Sequence, residues 1–188
     1  MEPRSYRLGR RQAAVDRTRA AILSTARELL ATGIGPSISV GAVARRAGVS
    51  RLTIYNRFGS RAGLLQAVVD NARRSSPSPS AEALGDPHAR LRQRIAESCV
   101  RWASDPALFR RVPELGLTES GSPDGDRALA EQLAVADQLR AGCSLKEAED
   151  VIGALTSFAT FDRLYKDGRR SATAVAEILM RLAGGVLR

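Results

Sequence analysis

The chain has 188 residues, of which 44% are hydrophobic, so it can bury a core and form one domain or two small ones. Its longest uncharged apolar stretch is too short for a membrane span, and no apolar segment follows the N-terminus, so we expect a cytoplasmic protein without membrane contact. Two distant cysteines, Cys99 and Cys143, and one histidine, His88, argue against a metal centre or a disulfide framework. We therefore expect no metal and no cofactor, and we expect each cysteine to be a small buried hydrophobe.

The net charge of +9 is unevenly distributed along the chain. Residues 1–75 contain fourteen arginines, no lysine and four acidic residues, which gives +10. Residues 76–188 carry 15 basic and 16 acidic side chains, which gives −1. Concentrated positive charge draws a protein to phosphates, whereas a uniformly adhesive basic protein would spread it. The charge therefore favours a nucleic-acid partner for the first part of the chain.

The chain begins with an arginine-rich segment, residues 1–12, that has no apolar face. We expect this basic arm to be disordered in isolation. A helical pattern starts near Asp16 and closes at Gly33. Its apolar residues fall on one stripe, formed by Ile22, Leu23, Ala26, Leu29 and Leu30. This stripe would give the helices that follow a hydrophobic platform.

Residues 39–47 have the spacing of a short helix. Ser39 can open it, and its apolar residues recur at i, i+3, i+4 and i+7, as Val40, Val43, Ala44 and Ala47. Gly48 follows, where a sharp turn between two helices needs a positive φ that glycine adopts without steric cost.

A second short helix is predicted after this turn. Ser50 can cap its N-terminus, and Ile54 and Phe58 face the preceding helix, which leaves the polar residues pointing elsewhere. The arrangement predicts a helix-turn-helix, whose second helix lies in a DNA major groove. An ordinary surface hairpin of helices has the same spacing and is the alternative. The concentrated positive charge favours the DNA-binding interpretation.

A fourth helix is predicted from Ser60 to about Arg74, with Leu64, Leu65, Val68 and Val69 facing inward. Two prolines and four serines then mark a linker. The predicted organisation is a disordered basic arm at 1–12, a DNA-binding domain at 13–74, a linker at 75–86 and a second domain at 87–188.

The second domain shows only helical patterns. Asp86-Pro87 and Asp105-Pro106 each place an N-cap before a proline at the first helical position. The helix from Pro87 has one apolar face, formed by Leu91, Ile95, Cys99 and Trp102. A loop is predicted over 113–125 and a helix over about 126–141. The acidic residues are predicted to be surface charges.

Two more helices complete the predicted all-α chain. Ser144 and Glu147 form a capping box that opens a long helix to about Lys166. Gly168 would end that helix, and Ser171 would cap the last one.

The last two helices are more apolar than one subunit requires. Residues 151–161 carry no charge, and the final helix is apolar over most of its circumference. A helix of that kind needs two neighbours, so we expect a homodimer in which a second copy supplies the same pair of helices. The candidate interface residues are Val151, Leu155, Ala176, Met180, Ala183 and Leu187. A central helix buried within one subunit is the alternative.

In its N-terminal part the chain resembles the tetracycline-repressor (TetR) family of transcriptional regulators. The resemblance covers roughly residues 15–70 and rests, in order and spacing, on Ser39-Val40, Val43-Ala44, Ala47-Gly48-Val49-Ser50, Thr53-Ile54-Tyr55, Phe58, Arg61 and Leu64-Leu65. It implies a three-helix helix-turn-helix DNA-binding unit, a connecting helix, and a C-terminal helical domain for ligand binding and dimerisation. It further implies a repressor that binds a palindromic double-stranded DNA operator and is released by a small-molecule effector.

The resemblance also implies roles for particular residues. Ser39 and Ser50 would cap their helices at the DNA surface, with Ser39 also binding a phosphate. Arg51 would face a base edge, since its fork matches the O6 and N7 of guanine, and Leu52 suits a thymine methyl. Further contacts to phosphates or flanking bases would come from Thr53, Tyr55, Asn56, Arg57 and Arg61. Family members often have a small residue at position 52 and usually lysine at position 61, so the operator cannot be deduced by analogy.

The implied effector would bind in the second domain, where aromatic side chains are scarce and concentrated on a few helices. The candidate lining residues are Trp102, Phe109, Leu133, Phe158, Phe161 and Tyr165. Their apolar character favours a hydrophobic or aromatic effector, whereas plain core packing is the alternative for each of them.

Two other functional classes, an enzyme and an architectural DNA-binding protein, are alternatives to this interpretation. The chain lacks a glycine-rich phosphate loop, a GxSxG or HExxH motif and a carboxylate pair at catalytic spacing, so it is not predicted to be an enzyme. A non-specific or architectural DNA-binding protein without an effector is the remaining alternative, and it would bind operator and random duplexes alike.

Overall fold

The structure, a computed structural model, describes residues 4–32, 38–74, 85–117 and 123–185. Every regular element of these residues is a helix, which confirms the predicted all-α class. The chain divides into two compact units, the first comprising Met1–Asn71 and Glu114–Leu117 and the second Ala72–Pro113 and Thr118–Arg188. Within the described ranges, no helix is both long and apolar enough to cross a membrane.

The N-terminal unit contains α1 (Arg4–Ala31), α2 (Val40–Ala47), α3 (Arg51–Phe58) and most of α4 (Arg61–Arg74). α1 packs against α2, and α2 packs against α3. The core of this unit confirms most of the predicted apolar positions and consists of Ile22, Leu23, Ala26, Leu30, Ile38, Val40, Val43, Ala44, Ile54, Leu64, Leu65, Val68 and Val69. Only one residue of α3 belongs to this core, so most of the surface of α3 faces away from it.

α1 begins earlier than the apolar pattern predicts. Residues 4–12, predicted as part of a disordered arm, form the first turns of α1, whereas residues 1–3 lie outside the described ranges. The segment lacks an apolar face but contains arginine, leucine, glutamine and alanine, which are good helix formers. It can therefore extend a helix that the buried residues further along have nucleated. Of the predicted linker at 75–86, only residues 85 and 86 are described.

The C-terminal unit contains α5 (Pro87–Ser104), α6 (Pro106–Arg111), α7 (Pro123–Val135), α8 (Leu145–Thr156), α9 (Phe158–Tyr165) and α10 (Ala172–Ala183). Within it, α5 packs against α7, α8, α9 and α10. The predicted stripe of α5 is buried as expected. The predicted caps are also confirmed, because Asp86, Asp105 and Ser171 accept the N–H groups of residues two or three positions ahead at 3.0–3.2 Å.

α7 starts three residues before its predicted position and ends six before its predicted end. A short 3-10 turn, Pro113–Leu115, occupies part of the predicted loop. Just after the C-terminal end of α7, Asp137 adopts a left-handed φ of 52°. The N–H of Gln138 then donates to the Leu133 carbonyl at 2.9 Å, which is the bonding pattern of a helix stop. An aspartate in that conformation gave no signal in the apolar pattern.

The long helix predicted from Ser144 is broken in two at Ser157. The Ser144 cap itself is confirmed, since its Oγ accepts the Glu147 N–H at 3.1 Å. At Ser157 the backbone is extended, with ψ of 151°, and its side chain caps α9 by accepting the Thr160 N–H at 3.3 Å. The indole N–H of Trp102 donates to the Thr156 carbonyl at 3.0 Å. A side chain from another helix therefore takes a carbonyl group at the break.

Two aspartates that were predicted to be surface charges join helices instead. Asp126 on α7 is buried and pairs with Arg94 on α5. Asp162 on α9 accepts the Nε–H of Arg110 on α6 at 3.0 Å to each oxygen. These pairs tie neighbouring helices of the C-terminal unit together.

The two cysteines differ in their surroundings. Cys99 is buried on α5, and that burial raises its pKa to about 12, so the thiol stays protonated as a small hydrophobe. Cys143 is only half-buried, so the prediction of a buried hydrophobe is wrong there. It lies in the turn region before α8, outside any helix.

Candidate nucleic-acid interface

The turn between α2 and α3 has the predicted geometry. Gly48 adopts a left-handed φ of 67°, and the Val49 N–H donates to the Ala44 carbonyl at 3.0 Å, which closes α2. The Ser50 Oγ accepts the Thr53 N–H at 3.0 Å and opens α3. Because both helix ends are fixed by bonds of short sequence separation, this turn sets the position of α3 locally.

The start of α2 is held from two sides. The Ser39 Oγ accepts the Ala42 N–H at 3.1 Å, and the Arg61 Nε–H donates to the carbonyl of the preceding residue, Ile38, at 2.9 Å. Arg61 therefore braces the chain leading into α2, in addition to offering its charge to a phosphate. The Ser39 hydroxyl acts as an acceptor in its cap, which leaves its own proton for a further bond.

The outer face of α3 is formed by four residues that the structure leaves exposed: Arg51, Leu52, Tyr55 and Asn56. Leu52 is 66% exposed and Tyr55 is 47% exposed, so neither contributes much to the core. Thr53 is half-buried, and its Oγ1 lies 2.9 Å from the Ser50 Oγ. The structure thus brings the predicted base-contacting residues together on one short helix.

Two further arginines connect α3 to α1. Arg57 donates from Nη1 to the Val15 carbonyl at 3.0 Å, and the guanidinium of Arg19 lies 5.2 Å from the centre of the Phe58 ring. A guanidinium has five N–H donors, so the carbonyl bond leaves Arg57 others for DNA. By contrast, Arg51 makes no hydrogen bond or ion pair with any residue that the structure describes.

No acidic residue occurs between Arg51 and Phe58 to neutralise this face. The ion pair between Glu28 and Arg46, at 3.5 Å, joins two side chains that are both more than half exposed. Such exposed pairs contribute little to stability and are screened by salt. This pair therefore removes little of the positive charge predicted for the DNA-binding unit.

In the C-terminal unit, five of the six predicted effector-pocket residues come together as an aromatic cluster: Trp102, Phe109, Phe158, Phe161 and Tyr165. Trp102 and Phe109 meet edge to face with ring centres 4.7 Å apart, and Phe161 and Tyr165 stack at 4.8 Å. Phe158 lies between them, 5.7 Å from Trp102 and 6.3 Å from Phe161. Leu133, the sixth residue, is buried on α7. The rings of this cluster contact one another directly.

A cleft of about 470 Å³ opens elsewhere in the C-terminal unit. It is lined by Gly85, Pro87, Arg90, Ala128, Glu131, Gln132, Val135 and Ala136. None of the six predicted pocket residues lines this cleft. No pattern in the sequence predicts this cleft, because its lining residues are mostly polar or small and come from the start of α5, from α7 and from the turn after it.

The predicted dimer-interface residues divide into three groups. Leu155, Ala176 and Ala183 are buried within the chain itself, because α10 packs against α5, α8 and α9. Val151 and Met180 are half-buried, and Leu187 lies outside the described residues. Leu182, which the prediction did not include among the interface residues, is 55% exposed on α10. One subunit thus covers more of α10 than the apolar pattern predicts.

Residues 22–68 match the family described as "Bacterial regulatory proteins, tetR family". The HTH-type transcriptional regulator AlkX of Mycobacterium tuberculosis (strain ATCC 25618 / H37Rv) is 45% identical over 65 residues, which cover 30% of this chain and 31% of AlkX. The match therefore spans less than a third of that relative's length.

Solved structures share the fold along most of the chain. NalD, the secondary repressor of the MexAB-OprM multidrug efflux pump in Pseudomonas aeruginosa, has a TM-score of 0.65 at 23% identity, covering 92% of this chain and 97% of its own. The fatty acid degradation regulator FadR from Bacillus halodurans has a TM-score of 0.65 at 17% identity, covering 90% of this chain and 99% of its own. A tetR family transcription regulator from Shewanella sp. PV-4, described as putative, has a TM-score of 0.60 at 17% identity, covering 91% of this chain and 98% of its own.

A capped turn that presents an exposed second helix, in an all-helical chain, defines a helix-turn-helix regulator fold. The match at residues 22–68 lies over this unit. Over residues 22–68 the chain is therefore similar to the tetR family of bacterial regulatory proteins.

Proposed function

We propose that this protein is a sequence-specific repressor of transcription that binds a palindromic operator as a homodimer and is released by a small hydrophobic effector. The observation that carries the proposal is the exposed outer face of α3, on which Arg51, Leu52, Tyr55 and Asn56 project from a helix fixed at both ends. We propose no enzymatic activity, in keeping with a family of regulatory proteins.

On this proposal the base contacts come from the first turn of α3. The donors of Arg51 are not engaged by any described residue and match the O6 and N7 acceptors of guanine. Leu52 is exposed beside it and suits the methyl group of thymine. Specificity would therefore arise from one polar and one apolar contact in each half-site.

The phosphate contacts surround this pair. Ser39 lies at the start of α2, where its hydroxyl and the first N–H groups favour an anion. Thr53, Tyr55 and Asn56 extend along α3, and Arg57 and Arg61 add charge next to their carbonyl bonds. Such contacts position a protein on the duplex without reading its sequence.

Dimerisation through α8 and α10 supports the palindromic operator, because two identical recognition helices need two symmetry-related half-sites. On this proposal Val151, Met180 and the exposed Leu182 contact the second copy. Leu155, Ala176 and Ala183 support that surface from within the subunit. The prediction at Leu187 stays open because that residue is not described.

The effector is proposed to bind at the aromatic cluster. NalD is a repressor of a multidrug efflux pump and FadR is a fatty acid degradation regulator, and both share this fold. A ligand releases DNA only if it binds one separation of the two recognition helices better than another. Because the rings of the cluster are in contact, an effector would have to move some of them apart.

The experiment that tests the proposal is selection of bound duplexes from a random DNA pool by the purified full-length protein. We expect an enriched palindrome whose half-sites are about one helical turn apart. A motif without two-fold symmetry would contradict the dimeric arrangement. Equal recovery of all sequences would contradict sequence-specific binding and favour the architectural alternative.

A further inference from the structure

Gly41 and Arg51 meet across the turn of the helix-turn-helix, although they are ten residues apart in sequence. A Cβ atom placed on Gly41 would lie 2.8 Å from the Arg51 Nη2, 3.0 Å from its Nε and 3.1 Å from its Cζ. The guanidinium of Arg51 therefore lies against the bare backbone of the first turn of α2. It occupies the space that any other residue at position 41 would fill.

This contact restricts a side chain that no hydrogen bond or ion pair from the described residues holds. Arginine has several rotatable bonds, and Arg51 forms no hydrogen bond or ion pair with a described residue. The surface left by Gly41 is therefore the described feature that limits where its guanidinium lies. If the Arg51 guanidinium is held in place before DNA binds, less conformational entropy is lost on binding.

The conformation of Gly41 does not itself call for glycine. Its φ is not positive, it lies within α2, and the nearest atoms that an alanine there would meet belong to the far end of an exposed side chain. Glycine inside a helix is less favourable than alanine. Local stability therefore favours a substitution that the arginine contact opposes.

We propose that Gly41 is a specificity-determining position, which acts by letting the Arg51 guanidinium lie across the first turn of α2 and so sets the base preference of Arg51. Gly41 is a positioning residue and needs no contact with DNA of its own. The inference rests on the proposed function, since it concerns how the recognition helix discriminates between bases.

The test is a double-mutant cycle with full-length protein carrying Gly41→Ala, Arg51→Ala or both. Binding is measured to the duplex selected by the unmutated protein, to its single-base variants and to a random duplex. We expect Arg51→Ala to weaken binding to the selected duplex roughly 5- to 150-fold. Gly41→Ala should cause a smaller loss and flatten the preference at the same base pair. When Arg51→Ala is already present, adding Gly41→Ala should have no further effect on DNA binding.

Stability and a matched glycine provide the controls. Gly41→Ala should keep the Tm or raise it by roughly 2–4 °C, because alanine favours the helix. Gly85→Ala, where a Cβ meets no atom within 4 Å, should leave DNA binding unchanged. In the free protein, a nuclear Overhauser contact between the Arg51 Nε–H and the Gly41 α-protons is expected, and its absence would contradict the inference.

The outcomes separate this inference from the proposed function. If the unmutated protein selects no duplex, the proposed function fails, and the inference fails with it. If a duplex is selected but Gly41→Ala binds it and its variants like the unmutated protein, the inference alone is wrong. An equal effect of Gly41→Ala in both backgrounds, or an equal loss on random DNA, would also overturn it.

Discussion

The recognition helix α3 and the last helix α10 both begin at a serine cap, but they differ in how many of their residues are buried. Ser50 caps α3 and Ser171 caps α10, each accepting the N–H three residues ahead at 3.0 and 3.1 Å. α3 then buries one residue, Ile54, whereas α10 buries four, from Val175 to Ala183. α3 is positioned by its capped ends, one buried residue and the two arginine contacts with α1, and α10 by packing along its length.

This difference predicts which property, DNA binding or stability, a substitution in each helix would change. Most side chains of α3 can change without removing core contacts, so they are available for DNA recognition. Changes at the four buried positions of α10 alter the packing of the C-terminal unit. Substitutions in the two units should therefore separate binding from stability.

The largest effect is expected in the aromatic cluster. Phe109→Ala removes a fully buried ring from beside Trp102 and should lower the free energy of unfolding by about 3–5 kcal/mol. Urea denaturation followed by the fluorescence of the single tryptophan measures this loss. Val135→Ala, at a side chain that is 90% exposed, should change it by less than about 0.5 kcal/mol. A loss below about 1 kcal/mol for Phe109→Ala would indicate a preformed cavity instead of a packed core.

The next effect distinguishes two arginines of the DNA-binding unit. Arg51→Ala should cost about 1–3 kcal/mol of binding to the selected duplex and leave random DNA unchanged. Arg61→Ala should weaken both duplexes and also lower the Tm, because the bond from its Nε to the Ile38 carbonyl is lost. Fluorescence anisotropy titrations with the two duplexes measure both. Equal losses from Arg51→Ala on both duplexes would refute its role in base recognition.

A smaller effect compares the two serine caps directly. Ser50→Ala and Ser171→Ala should each cost about 1 kcal/mol of stability. Only Ser50→Ala is expected to weaken DNA binding, because the cap it removes orients α3. Thermal unfolding and DNA titration of both variants make the comparison. A similar loss of DNA binding in Ser171→Ala would show that the two helices are not independent in this respect.

The smallest effect is a pH dependence in the C-terminal unit. The N–H groups of His88 and Ala89, with His88 contributing most, hold the pKa of Asp86 below its ordinary value of 3.8. A lowered folded-state pKa gives stability that is present above the unfolded value and is lost as the pH falls through the folded one. Asp86→Asn keeps a cap without a charge, so the Tm difference from the unmutated protein should shrink below pH 3.8. A difference that is constant with pH would contradict this assignment.

The DNA-binding unit was predictable because its determinants are close together in the sequence. Ser39, Gly48 and Ser50 act on backbone groups at most five residues away, so helix ends and the turn follow from local rules. The extension of α1 to Arg4 was missed because helix propensity, without an apolar stripe, carried the segment. At the break at Ser157, Trp102 takes the carbonyl of Thr156, 54 residues further along, and no local pattern predicts that contact.

The sequence alone determined the all-helical class and the capped turn, since hydrophobic periodicity and capping operate within one or two helical turns. Only the tertiary structure decided which apolar residues of α10 its own subunit covers, and that the aromatic rings contact one another. It also placed the Arg51 guanidinium on Gly41 and the Arg61 Nε–H on the Ile38 carbonyl. These contacts join residues on different elements, and their geometry depends on how helices pack, which no local pattern of residues records.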